Sequence, residues 1–248
     1  MDDNLTKEYE TYDPSFFNKL KKVEEEYFWF LIRRKWIFNK ISKFANPPAK
    51  VLEIGCGTGN VSSFLSQKGY TVTGCELYHE AIDMAWPGFL RVRGDANSLP
   101  FKDNSFDIVG LFDVIEHVEN DITPIKEAFR VVREGGIIAV TVPANKKLWS
   151  YIDERSLHKR RYSREMLRQV FSEAKLPPLL LEYMFMSLYW PIKYSRGKNK
   201  DINSQFKINR FINALLKWVF NIERLASSVL SIPIGTSIIA VARKDTLS

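Results

Sequence analysis

Alternating strand and helix signals between Lys50 and Arg243 predict an α/β fold built on a doubly wound, mostly parallel sheet of seven strands. Three observations carry that prediction. The apolar run Val51-Leu52-Glu53-Ile54 passes directly into glycines at alternate positions, Gly55, Gly57 and Gly59. That is the pattern of a buried strand turning into a helix N-terminus, with bare backbone where a side chain would block a nucleotide-like ligand. Further apolar runs follow at regular intervals with helical patterns between them, and 248 residues suffice for one large domain with a substantial core.

The elements follow in order. Pro14 to Phe44 reads as helix: a charged stretch, the aromatic knot Tyr27-Phe28-Trp29-Phe30, then Arg33-Arg34-Lys35-Trp36, ended by Asn46-Pro47-Pro48. The aromatics suit either a cap over the ligand site or plain packing on the sheet. Strands are expected at Lys50 to Ile54, Tyr70 to Glu76, Phe89 to Gly94, Phe106 to Phe112, Gly136 to Val142, Leu179 to Leu188 and Thr236 to Arg243. Helices are expected at Gly59 to Lys68, His79 to Ala85, Asp121 to Arg133 and Arg164 to Ala174, with Glu134-Gly135-Gly136 as the C-terminal stop of the third. The chain therefore divides as a single domain over 1–248: a helical cap at 1–48, a core at 49–188 and 236–244, and an insertion at 189–235.

That insertion is basic in its first half, with Lys193, Arg196, Lys198, Lys200, Lys207, Arg210 and Lys217 against the single acid Asp201. In its second half Ile208, Phe211, Ile212, Leu215, Leu216, Val219 and Phe220 recur at helical spacing and give a helix an apolar face. From Leu225 to Ala242 the chain carries no charge, but Pro233 and Gly235 interrupt the run, so a helix end followed by a core strand fits better than a membrane span.

Net charge of +7 permits an acidic partner without specifying one, and 45% apolar with 26% charged residues is an ordinary globular composition. The polar start MDDNLTKEYE argues against a targeting peptide. Cys56 and Cys75 fall in the predicted core, which suits free thiols in a reducing, cytoplasmic compartment. No metal-ligand spacing connects these cysteines with the three histidines, so no metal is expected.

A glycine-rich turn serves several nucleotide binders. A dinucleotide fingerprint wants G-x-G-x-x-G, whereas here G-x-G-x-G ends in Asn60, and no Gly-Lys-Ser/Thr follows as in a P-loop. Glu76 lies at the end of the second strand, where its two carboxylate oxygens can accept both hydroxyls of a ribose. At the third strand end, the Asp95 carboxylate can accept from an exocyclic amine of adenine while Ala96 presents a backbone N–H to a ring nitrogen.

The set VLEIGCGTG, Glu76, GDANSLPF and FDIVGLFDVIEHVEN followed by REGG, covering Val51 to Pro143, resembles the class I S-adenosylmethionine-dependent methyltransferases. The resemblance implies a Rossmann-like, seven-stranded sheet with its last strand antiparallel, and S-adenosyl-L-methionine as cofactor. It implies that Glu53 orients the turn, that Gly55, Cys56, Gly57 and Gly59 lie along the methionine part, that Glu76 with Leu77 holds the ribose and Asp95 with Ala96 the adenine. Phe112, Asp113 and His117 would lie near the sulfonium. Outside that core the chain is similar to the methyltransferase type 23 family, in which Phe28-Trp29-Phe30 with Arg33, and Trp149, Asp153, His158, Arg160, Arg161 and Tyr162, would form parts of a lid. Trp29 and Arg33 then join the cofactor-binding set and Arg161 becomes a closing residue.

Methyl transfer from an already activated donor depends chiefly on positioning. A base is needed only if the acceptor carries a proton, and His117, His158 and Tyr162 are the candidates. Where nucleic-acid amino methyltransferases carry Asn-Pro-Pro-Tyr, this chain has Asp113-Val114-Ile115-Glu116. The expected acceptor is accordingly a small molecule, with oxygen the leading acceptor atom and nitrogen or carbon as alternatives, and no nucleic acid is expected as partner. The insertion adds an expectation of an anionic, glycan- or lipid-linked acceptor and of peripheral contact with an anionic membrane surface. A non-catalytic cofactor-binding regulator and a nicotinamide oxidoreductase remain the rival classes.

Overall fold

The computed structural model describes residues 14–195 and 208–245. The basic residues Arg196, Lys198, Lys200 and Lys207, the acid Asp201 and the N-terminal MDDNLTKEYE lie outside them.

Seven strands form one sheet in the order β3-β2-β1-β4-β5-β7-β6. They are β1 (Lys50–Ile54), β2 (Thr71–Glu76), β3 (Leu90–Arg93), β4 (Phe106–Phe112), β5 (Val132–Pro143), β6 (Pro178–Met184) and β7 (Ser237–Arg243). β1 pairs in parallel with both β2 and β4, so the order reverses beside β1 and opens a crevice at the strand ends there, the usual ligand position in such sheets. β7 runs antiparallel to both β5 and β6. β1 and β4 are almost wholly buried, as strands covered on both faces must be, which is why they read as near-continuous apolar runs.

One face of the sheet is covered by α5 (Ile122–Val131) and α7 (Arg164–Glu173), through Ile125, Ala128, Leu167 and Phe171. The other is covered by α2 (Phe28–Ile41), α3 (Asn60–Gln67) and α9 (Arg210–Ala226), through Ile32, Trp36, Ile37, Leu65 and Phe220. The remaining helices are α1 (Pro14–Glu26), α4 (His79–Asp83), α6 (Tyr151–Arg155) and α8 (Met186–Ser195).

Three elements depart from the sequence expectation. The single helix over Pro14 to Phe44 is two helices, broken at Tyr27, whose backbone is extended. Asn213 of α9 holds the break: its side-chain carbonyl accepts from Phe28 N at 2.9 Å and its amide donates to Glu26 O at 2.8 Å. A partner 185 residues away replaces local helix bonds, and no local signal shows it. Second, β6 ends at Met184 rather than Leu188, because Phe185 takes a positive φ of 60° and α8 starts at Met186. Glu223 of α9 accepts from Met186 N and Ser187 N at 2.6 and 3.0 Å, supplying the helix start with the acceptors it otherwise lacks. Third, Glu134-Gly135-Gly136 does not cap a helix. α5 passes directly into β5 at Val132, and the glycines sit where the β4 register shifts between Phe106 and Ile108.

The aromatic segment packs on the sheet, the second of its two expected uses. Phe28, Trp36 and Ile37 pack into the sheet-side core, while α1 lies over the glycine turn, where Thr58 Oγ1 donates to the Glu24 carboxylate at 2.5 Å and Trp86 Nε1 at 3.3 Å. Between Leu225 and Ala242 the chain ends α9 and enters β7, and no described helix is long and apolar enough to cross a membrane.

Candidate active site

The site lies at the ends of β1, β2 and β4. Gly55, Gly57 and Gly59 all have positive φ, and two of them are also closed to side chains by packing. A Cβ on Gly55 would meet Val114 Cγ2 at 2.6 Å, and one on Gly59 would meet the Phe89 ring at 2.2 Å. A Cβ on Gly57 would meet nothing within 4 Å, so the space in front of the turn is clear. The turn is fixed from both sides. Gly55 N and Cys56 N donate to Cys75 O at 2.8 and 3.1 Å, and Gly57 N donates to Glu76 Oε2 at 2.7 Å. Cys56 is buried with its sulfur against Gly74, and burial pushes its thiol well above its ordinary range, so it packs rather than reacts.

Glu53 is 3% exposed and accepts a short hydrogen bond from Ser62, tying β1 to the first turn of α3. Burial pushes its carboxyl up to about 7. Glu76 uses Oε1 for Leu77 N and Tyr78 N at 2.8 and 3.1 Å, leaving Oε2, bonded once to Gly57 N, with an acceptor direction for an incoming hydroxyl. Burial raises its carboxyl despite those three amides. Asp95 Oδ1 accepts from Asn97 N at 2.8 Å and shapes the turn after β3, with Ala96 partly buried beside the core.

At the end of β4, Asp113 is held at a φ of 61°, a costly conformation for a non-glycine residue. Arg33 of α2 pairs with it at 2.7 Å and donates to Thr141 Oγ1 at 3.4 Å, while lying 5.2 Å from the Trp29 ring. Arg33 is 8% exposed. Phe112 is buried in the core with its ring over Gly110.

Residues 156–162 fold back along the segment after β4. Lys159 N donates to Glu116 O at 2.7 Å, Arg160 pairs with Asp121 at 3.0 Å, and Arg161 Nε donates to Asp153 at 2.6 Å. The basic run is therefore anchored rather than solvated. His158 Nδ1 lies 3.0 Å from the fully buried Asp153, and the His117 and His158 rings meet edge to face at 4.8 Å. Burial and the neighbouring His158 push His117 down to about 4, so it is neutral at pH 7. Asp153 is driven the other way: burial raises its carboxyl, but the bonds from His158 and Arg161 bring it down to about 2.

Tyr162 is not placed to act as a base. Its ring is fully buried, its hydroxyl donates to Asp121 Oδ2 at 2.8 Å, and burial raises it far above its ordinary value. It anchors the loop. Sequence reasoning missed Glu24, which covers the turn, and Glu116, which is fully buried with both carboxylate oxygens lacking a hydrogen-bond partner among the described residues. An acid in a segment also carrying Asp113 and Glu119 gives no sign of which one faces inward.

A seven-stranded sheet with only β7 reversed, a glycine turn at its switch point and acids at the ends of β1 and β2 define the Rossmann-like methyltransferase fold. Residues 52–140 match the family model of the methyltransferase domain.

Among its relatives are the demethylmenaquinone methyltransferase of Chlorobaculum tepidum, 30% identical over 56% of this chain and 60% of that protein. The 2-methyl-6-phytyl-1,4-hydroquinone methyltransferase of Synechocystis is 29% identical over 53% of this chain and 42% of that protein. The chain thus spans about half the length of the curated relatives it matches. The fold is shared with geranyl diphosphate C-methyltransferase from Streptomyces coelicolor, solved with Mg2+, geranyl diphosphate and S-adenosyl-L-homocysteine. The two chains align at a TM-score of 0.59 with 13% identity, over 86% of this chain and 78% of that one.

Proposed function

We propose that the chain transfers a methyl group from S-adenosylmethionine to a small-molecule acceptor, with oxygen as the acceptor atom. The observation that supports this best is the pairing of the open glycine turn with the buried carboxylate of Glu76, 2.7 Å from Gly57 N. Glu53, Gly55, Cys56, Gly57 and Gly59 would shape the methionine-binding wall, Glu76 and Leu77 would receive the ribose, and Asp95 with Ala96 the adenine. Asp113, Arg33 and Trp29 would close the sulfonium end. Bound there, the cofactor supplies an electrophilic methyl on a charged sulfur.

The chain's own contribution is placement and exclusion of water. α1 covers the turn, and the Arg33–Asp113 pair fixes the floor with two charges that cancel. When no cation is bound to them, His117 and His158, the latter oriented by Asp153, would be the groups to take a proton from an acceptor hydroxyl.

Calorimetry tests the reading directly. The wild-type chain should bind S-adenosyl-L-homocysteine, and Glu76→Ala should weaken it roughly 10- to 100-fold, the worth of one or two hydrogen bonds to a charged acceptor. Binding of NADH alone, or equal affinity in Glu76→Ala, refutes it.

The acceptor class we propose is lipid-linked and anionic. α9 carries Phe211, Leu215, Trp218, Ile222 and Leu225 at helical spacing, and these side chains are exposed, Phe211 at 86% and Trp218 at 64%. The sequence pattern assigned one apolar face to this helix, yet there are two. Phe220 turns inward and stacks on Phe28 at 5.3 Å, while the second face points outward beside Arg210 and Lys217. An apolar stripe flanked by cations suits an anionic membrane surface.

A further inference from the structure

Glu116, His117 and His158 bring one carboxylate oxygen and two imidazole nitrogens within 4.8 Å of one another. Their positions along the chain hide this, since His158 lies 41 residues beyond His117 and is brought back by the bond from Lys159 N to Glu116 O. We infer that these three residues form a site for a divalent first-row transition metal, zinc being the type ion, with a coordination position left for an oxygen ligand.

Several independent features support the site. Glu116 is fully buried, and neither of its carboxylate oxygens has a hydrogen-bond partner among the described residues. A buried carboxylate normally finds donors or a cation, because leaving it bare costs several kcal/mol. Its neighbour Asp113 adds a second acidic group to the same segment rather than a donor. A cation between Glu116 and the histidines would give those oxygens a partner.

The histidines are set as ligands usually are. The Nδ1 of His158 is engaged by the buried Asp153, which fixes the tautomer and leaves Nε2 to ligate, the arrangement that outer carboxylates commonly give metal-binding histidines. His117 lies against the carbonyls of Ser156 and Leu157. Two histidines and a glutamate are an open donor set for zinc, in which tetrahedral ligands stand about 3.3 Å apart, so the three groups have to close up on the ion.

Asp113, salt-bridged to Arg33, is adjacent in sequence to this segment, so the site borders the proposed methyl-transfer crevice. The open position would therefore select acceptors that present a hydroxyl or a pair of neighbouring oxygens. That role rests on the methyltransferase reading. The metal site itself does not.

The test uses the full chain stripped with a chelator and titrated with Co2+, then Zn2+. One Co2+ per chain should bind with the visible absorption of a four- or five-coordinate ion, and Zn2+ should displace it. His117→Ala, His158→Ala and Glu116→Gln should each weaken binding at least 10-fold, with circular dichroism confirming that each variant folds. His117 and His158 are partly exposed, so their variants decide the matter if Glu116→Gln does not fold. Wild-type uptake no tighter than that of the His117→Ala/His158→Ala double variant overturns the site. Binding of S-adenosyl-L-homocysteine, measured on the same wild-type chain in chelator, shows separately whether the cofactor reading holds.

Discussion

Replacing Glu53 by Gln should make the protein more stable at pH 8 and leave it nearly unchanged at pH 4.5. The carboxyl sits at 3% exposure with one hydrogen-bond donor, Ser62, and burial raises it to about 7 from an ordinary value near 4.5. In the unfolded chain the group ionises as pH passes 4.5, while in the folded chain it stays protonated until about 7. Between those values the folded state holds more protons, so stability falls as pH rises. A difference of about 2.5 pH units corresponds to about 3 kcal/mol, lost progressively from pH 4.5 to 7 and constant above. Gln keeps the acceptor for Ser62 and removes the ionisation. Glu24, Glu76 and Glu116 are also raised by burial, so the total pH dependence is a sum, and the quantity to measure is the difference between the two chains. Urea unfolding at half-unit steps from pH 4.5 to 8.5 gives that difference. A gap that does not widen across this window would show that Glu53 is ionised in the folded state and that water reaches it.

Three further outcomes are expected. Gly59→Ala should cost 2 kcal/mol or more in chemical denaturation, since φ is 79° and the new Cβ meets Phe89 at 2.2 Å, whereas Gly57→Ala, with open space in front, should lose cofactor affinity more than stability. A double-mutant cycle on Arg33→Met and Asp113→Asn should give a coupling of about 1 to 3 kcal/mol, because the pair is largely removed from water, and a coupling near zero would make it an incidental contact. The wild-type chain should sediment with anionic liposomes at low salt and be released by salt, and Leu215→Asp with Trp218→Asp should abolish binding. Equal sedimentation of that variant would remove α9 from the membrane proposal.

How much was legible in the sequence follows from the range of the forces involved. β1, the glycine turn and β4 were readable because strand burial, positive φ and short turns leave signs within a few residues of one another: Gly55, Gly57 and Gly59 are glycines for reasons that lie largely in their own backbone. The acids at the ends of β1 and β2 followed once the alternation of strands and helices was set. What the tertiary structure alone decided are contacts between distant segments: Asn213 splitting the first helix at Tyr27, Glu223 starting α8, and Asp121 accepting the hydrogen bond of the Tyr162 hydroxyl. The exposed stripe of α9 belongs to the same class, because periodicity shows that a helix has apolar faces but not which face the sheet covers. So does the meeting of Glu116, His117 and His158, which depends on a loop folding back across 41 residues and is invisible to spacing. Backbone geometry is written locally. The charge left unpaired in a core depends on every element packed around it.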